Sequence, residues 1–154
     1  MALTNYSPKL AIVYASVTGN TEHLAEMLQE AAQKQSLDAK LYRVEEFPLF
    51  ELSSYDGVLI GTYTWGSGEI PEEMHAFYQA IERLDRKELH TAVFGTGDSF
   101  FSEFCGAVDR FRDMLFVKTQ LVATLKVELM PQPSDAPRCE KLVELFKRAR
   151  YTDF

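Results

Sequence analysis

Three short segments carry the residue types that could do chemistry. The first is Ser16-Val17-Thr18-Gly19-Asn20-Thr21, which gathers hydroxyl and amide side chains around a glycine just ahead of a stretch with helical spacing. Backbone N–H groups, hydroxyls and the positive end of a helix dipole together suit an anion such as a phosphate. No Lys follows the glycine, so this is not the GxxxxGK[ST] loop of nucleotide hydrolases, and a phosphate here would meet neutral donors only. Ser, Thr and Asn are also the ordinary helix caps, so a plain capped helix start is the other reading.

The second segment, Thr62-Tyr63-Thr64-Trp65-Gly66-Ser67-Gly68, holds the only Trp of the chain. A Trp on a glycine-flanked loop offers a stacking surface to a flat ligand. The alternative is a Trp folded back over the core. The third segment runs from Gly95 to Gly106 and carries a second aromatic pair, Phe100 and Phe101. Its GxG is not a dinucleotide fingerprint, because Phe100 stands where a third glycine would be needed. One phosphate cradle and two aromatic walls suit a planar, phosphorylated cofactor.

Enzyme machinery is not evident. His23, His75 and His90 stand apart from any GxSxG elbow and read as surface or packing residues. Cys105 and Cys139 have no CxxC spacing, which excludes the common zinc patterns and fits reduced thiols of a cytoplasmic protein. Neither cysteine has a basic sequence neighbour at the binding edge that would activate it.

The elements that must position these segments alternate between two periods. Leu10 to Ala15 is a continuous apolar run, the mark of a strand buried on both faces. Leu24, Met27, Leu28, Ala31 and Ala32 form a helical stripe. Strands follow at Leu41–Val44, Tyr55–Tyr63, Leu89–Gly95 and Leu121–Leu129. Between them Pro71 suits a first helical turn ahead of Met74, Phe77, Tyr78 and Ile81, and a further stripe runs through Phe104, Ala107, Val108, Phe111 and Leu115. Cys139, Leu142, Val143 and Phe146 mark a last helix. Five strands alternating with helices predict an α/β fold on a parallel sheet, with ligands beyond the carboxyl ends of the strands. The three candidate loops lie at those ends.

Composition sets the outer limits. The 154 residues suit a single domain over 1–154, large enough to bury about two-thirds of its unfolded surface. The net charge of −7 opposes nucleic-acid binding. No run nears the roughly 20 apolar residues of a membrane span, and Met1 to Lys9 lacks a signal-peptide pattern. Acids are uneven: Val44–Glu82 holds eight (Glu45, Glu46, Glu51, Asp56, Glu69, Glu72, Glu73, Glu82) and no Lys or Arg. This is either chance clustering on a solvated surface or an acidic face that steers basic partners.

With these three loops in this order, the chain resembles the flavodoxin family over nearly its whole length, and looks like a short-chain member. The resemblance implies a flavodoxin-like three-layer sandwich, with a five-stranded parallel sheet of order 2-1-3-4-5 and helices on both faces. It implies FMN, with the phosphate on Ser16, Val17, Thr18, Gly19, Asn20 and Thr21. The flavin ring would meet Thr62, Tyr63, Thr64, Trp65 and Gly66 on one side, and Thr96, Gly97, Asp98, Phe101, Phe104 and Cys105 on the other. Many members carry a Tyr wall where this chain has Phe101, and Phe100 could take the place if the loop shifts. The Gly66 peptide could turn its carbonyl toward the ring's N5–H after one-electron reduction. Aromatic walls and the acids Glu69, Glu72, Asp98 and Glu103 would disfavour an anionic reduced ring. The implied function is a low-potential one-electron carrier that is not an enzyme. It would be a cytoplasmic monomer serving redox proteins such as a ferredoxin/flavodoxin-NADP reductase and an acceptor oxygenase or reductase. The rivals on the same fold are an FMN-dependent reductase and a ribonucleotide-reductase-activating flavoprotein. A phosphorylation receiver would need paired acids where this chain has Ala15-Ser16-Val17.

Overall fold

The apolar runs become five parallel strands in the order β2-β1-β3-β4-β5. In this computed structural model, which describes residues 8–100 and 103–152 (150–152 by backbone alone), they are β1 Leu10–Tyr14, β2 Ala39–Arg43, β3 Gly57–Thr62, β4 His90–Gly97 and β5 Gln120–Glu128. The helices are α1 Asn20–Lys34, α2 His75–Leu84, α3 Gly106–Lys118 and α4 Ala136–Thr152. β1 and β3 are buried along their whole length, as two-sided apolar runs require.

Strand alternation sorts the core into two layers. Leu10, Ile12, Leu59, Phe94 and Leu125 pack with α1 and α4 on one face. Ala11, Val13, Val58, Ile60 and Val93 pack with α2 and α3 on the other. Phe77, Phe94, Phe111 and Phe146 are almost wholly buried, each worth roughly 1.5–3 kcal/mol relative to exposure. The neighbouring strands β1 and β3 thus send their chains to opposite faces, and a crevice opens beyond their carboxyl ends.

Several boundaries differ from the sequence expectation. The Leu41–Val44 strand starts earlier, at Ala39, and yields Val44 to a 3-10 turn, because pairing runs from Leu10↔Ala39 to Tyr14↔Arg43 and β1 sets its length. β4 runs past Gly95 to Gly97, because β5 goes on pairing after β3 has ended. Phe104 lies in the turn before α3 rather than on its stripe, and Pro71 leads into a 3-10 turn, Glu72–Met74, ahead of α2.

One close approach fixes the crevice wall. A Cβ at Gly95 would lie 2.4 Å from the Thr62 carbonyl oxygen and 2.4 Å from Val108 Cγ2. Gly95→Ala should therefore cost about 1–3 kcal/mol by overpacking. Urea denaturation reads this as a lower midpoint, and an unchanged midpoint would show that α3 yields without cost.

Candidate functional site

The first loop leaves the sheet after Ala15, whose N–H still donates to the Gly61 carbonyl at 3.0 Å. Ser16 Oγ then accepts the Gly19 N–H at 3.1 Å. Gly19 takes φ 96, a left-handed value suited to glycine, and a Cβ there would meet no atom within 4 Å. Gly19 is also the N-cap of α1, and no side chain caps that helix. The capped-helix reading therefore does not hold. The first-turn N–H groups, which a helix cannot satisfy internally, are left to face the crevice with Thr18 and Asn20 beside them.

Not every hydroxyl of this loop is offered outward. Thr21 is buried, and its hydroxyl bonds that of Thr96 at 2.8 Å, stapling α1 to β4. Val17 is exposed. Behind the loop, and outside the residues that line the cleft, stands a cation. Arg43, at the end of β2, donates to the Ser16 carbonyl at 3.0 Å, and its guanidinium pairs with Glu22 at 3.2 Å and Glu45 at 3.6 Å. Tyr14 donates to the same Glu22 at 2.6 Å, and burial followed by that carboxylate pushes its hydroxyl up to about 12. Sequence spacing did not reveal Arg43, since only strand pairing sets it beside Ser16.

The second loop is a tight turn closed by Trp65 N–H to Glu69 O at 2.8 Å and Glu69 N–H to Trp65 O at 2.7 Å. Gly66 and Gly68 take φ 53 and 91. Trp65 is 62% exposed, so it does not fold back over the core; it does not itself line the crevice, although its neighbours Thr64 and Gly66 do. Thr62 is buried and its hydroxyl turns to the Tyr63 carbonyl at 2.7 Å. Tyr63 lines the crevice and donates to Glu73 at 2.8 Å; burial, then Glu73, pushes its hydroxyl up to about 12. Thr64 Oγ1 accepts the Ala107 N–H at 3.2 Å.

On the opposite side, Leu129 N–H donates to the Gly97 carbonyl at 2.7 Å, and the Asp98 carboxylate accepts the Phe100 N–H at 2.9 Å. Phe100 is 90% exposed, while Phe101 lies outside the described residues. Phe104 is half-buried under Lys126, 6.0 Å from its ring centre, and does not line the crevice. Cys105 is not on α3 but caps it, at φ 52, with its sulfur 3.0 Å from where a Gly97 Cβ would sit. Burial pushes its thiol up to about 11, although Lys126, a neighbour the sequence did not reveal, pulls the other way.

These groups enclose a cleft of about 470 Å³. Of the predicted residues, Thr18, Asn20, Tyr63, Thr64 and Gly66 line one part, and Thr96, Gly97, Asp98 and Cys105 line another. Ser16, Gly19, Thr21 and Thr62 stand behind it as supports. Glu103, expected as an acid near the ring, also lines it, as do Ser67 and Leu129, which were not predicted as site residues. Leu129 owes its place to φ 54, a left-handed turn for which its side chain gives no signal.

The geometry has counterparts. The sequence pattern of the flavodoxin family matches residues 12–141. The chain belongs to the flavodoxin family. Probable flavodoxin 1 of Bacillus subtilis is 40% identical over 129 residues, covering 82% of each chain. The flavodoxin of Maridesulfovibrio salexigens is 41% identical over 110 residues, covering 70% of this chain and 75% of its own. The crystal structure of oxidised flavodoxin 2 from Bacillus cereus superposes with a TM-score of 0.84 at 35% identity, covering 92% of this chain and 99% of its own. As a flavodoxin, the chain is an FMN-binding electron carrier. The cleft fits that cofactor: open first-turn N–H groups and a glycine facing empty space suit the phosphate, and an exposed Trp between the lining residues Thr64 and Gly66 suits the ring. Among the described residues no helix is long and apolar enough to cross a membrane.

The buried thiols make a pH signature. Cys105 and Cys139, ordinarily near 9, are both pushed up to about 11 by burial. Their contribution to stability is whole below pH 9 and is lost as pH rises from 9 to 11, because the unfolded thiols ionise first. The effect is roughly 2 kcal/mol per thiol. Denaturant midpoints over about pH 8.5 to 10 should fall, and Cys105→Ala should shallow that slope. An unaltered slope would mean the thiol is not held dry.

Proposed function

We propose that this flavodoxin binds FMN with its phosphate on the 16–21 loop and its ring between the Trp65 turn and the 96–105 segment. It works as a low-potential one-electron carrier and not as an enzyme. The observation that carries this reading is the open amino end of α1, uncapped at Gly19 and facing the same cleft as Thr64 and Asp98. FMN, when bound, supplies the redox chemistry, and the chain holds and tunes it. Thr18, Asn20 and the first-turn N–H groups would hold the phosphate, while Arg43 steadies the Ser16 carbonyl behind them.

Acids support the low potential. Asp98 and Glu103 line the cleft, and the Glu69 carboxylate carbon lies 3.8 Å from where a Gly66 Cβ would sit. Glu72, in the turn before α2, is not among the lining residues. The same acids, with Glu73 and Glu45, would attract basic redox partners, an NADP-linked reductase as donor and an oxygenase or reductase as acceptor. Asp56 belongs elsewhere, since it accepts the Lys9 N–H at 2.7 Å at the far end of β3. We further infer one domain across residues 1–154, acting as a cytoplasmic monomer. Steady-state NADPH oxidation by the pure protein tests the carrier reading: negligible turnover is expected without a separate reductase, and sustained turnover would favour the reductase rival.

Thr18→Ala and Asn20→Ala should weaken FMN binding, each removing a donor to a charged group worth roughly 1.5–3 kcal/mol. Riboflavin, which lacks the phosphate, should bind these variants about as well as the parent. Equal losses for the two flavins in a fluorescence titration would mean that this loop does not hold the phosphate.

A further inference from the structure

We propose that Arg110, on the second turn of α3, is a positioning residue that fixes the height of the Trp65 turn against the cleft. The proposal rests on the reading above that this turn meets the flavin ring. Trp65 is 62% exposed, so its own burial cannot hold the turn in place. The turn is held at its base, where Gly68 is buried against the start of α3. A Cβ at Gly106 would come within 2.6 Å of Gly68 Cα and 3.0 Å of the Gly68 carbonyl oxygen, so the two backbones are in direct contact.

Arg110 follows Gly106 by four residues and therefore lies on the same side of the helix. Its Nε–H donates to the Gly68 carbonyl at 2.8 Å, reaching across 42 positions of sequence. The Ala107 N–H, donated to Thr64 Oγ1 at 3.2 Å, ties down the other arm of the turn. Three contacts from one helical turn thus grip the strand end and the Trp-bearing loop. Of these, only the Arg110 bond carries a full charge, which makes it the strongest single hydrogen bond of the set.

Arg110 is held in reach of Gly68 by its surroundings. It lines a groove of about 770 Å³ between α2 and α3, together with Glu69, Glu82, Asp113 and Tyr78. These carboxylates favour a cation at this wall, while Arg112, on the same helix, is occupied with Asp109 and Asp113 at 3.0 Å each. A Lys at 110 would keep the charge but lose the planar fork whose Nε–H meets Gly68 while its other N–H groups face the groove. The consequence is specific. Loosening this bond moves the ring wall and leaves the phosphate loop, anchored by Thr21 and Arg43, where it is.

Trp65 is the only Trp in the chain and serves as the probe. Its fluorescence anisotropy in the flavin-free protein should fall in Arg110→Gln, recover in part in Arg110→Lys, and stay unchanged in Arg112→Gln. Titration of the same proteins should show FMN and riboflavin weakened by the same factor in Arg110→Gln, roughly tenfold for one charged hydrogen bond. Unchanged anisotropy in Arg110→Gln, or a loss confined to FMN, would overturn the proposal. Should Arg110→Gln fail to fold, Arg110→Lys carries the test, and anisotropy equal to the parent's would overturn it. A parent protein that binds neither flavin would defeat the functional reading instead, while the anisotropy comparison would still decide whether Arg110 steadies the turn.

Discussion

Everything at the cleft depends on one divergence. β1 and β3 pair side by side up to Tyr14↔Gly61, and one more bond, Ala15 N–H to Gly61 O, closes the ladder. Beyond it the chain after β1 enters α1 on one face of the sheet, and the chain after β3 goes to α2 on the other. No backbone can fill the space between two strands that part in this way. The space is therefore available to a ligand, and whatever lines it must come from the loops that part there. The third wall is brought in by contact: the bare Gly95 leaves room for both the Thr62 carbonyl and Val108 of α3 beside β4, and the end of β4 then reaches the cleft at Thr96 and Gly97.

The strands were legible because burial on both faces leaves continuous apolar runs, as in Leu10–Ala15. Their ends were less so. Pairing, rather than composition, decides where β2 and β4 stop, and pairing is a property of the partner strand. The loops were legible as places, since hydroxyls, glycines and a Trp gathered at strand ends. Which atoms face the ligand was not. Ser16, Thr21, Thr62 and Thr64 have hydroxyls like that of Thr18, yet theirs are engaged within the protein. Arg43 lies 27 positions from Ser16, and only the Tyr14↔Arg43 register brings them together. The acidic stretch was likewise one feature in sequence and several in space. Asp56 ties down Lys9 at the base of β3, Glu73 accepts the hydroxyl of the cleft residue Tyr63, and Glu69 lies beside Gly66 and lines the groove between α2 and α3.

The cleft is electrically uneven along its length. At the α1 end the groups facing it are donors: first-turn N–H groups, the Thr18 hydroxyl and the Asn20 amide. Arg43 adds a cation behind them, but Glu22 and Glu45 offset most of its charge. A dianion held here relies on the helix end and short-range hydrogen bonds more than on a free positive charge. At the other end Asp98 and Glu103 line the cleft and Glu69 stands beside Gly66, bringing negative charge near the Trp65 turn. A cofactor spanning the two ends would be held firmly by one and would gain negative charge at the other only at a cost.

The two ends are also anchored to different parts of the fold, which keeps binding and tuning separable. The 16–21 loop is fixed from below and behind, by Arg43 on β2 and by Thr21 against Thr96 on β4. The Trp65 turn is fixed from the side, by Gly106, Ala107 and Arg110 of α3. α3 also carries Cys105 at its cap, and the Cys105 sulfur sits against Gly97 on the opposite wall. The amino end of one helix therefore touches both sides of the proposed ring site while leaving the proposed phosphate site to α1. A small shift of α3 would change the gap between the walls without disturbing the anion cradle. With FMN placed as proposed, substitutions along α3 would alter the surroundings of the ring while the hold on the phosphate stays the same.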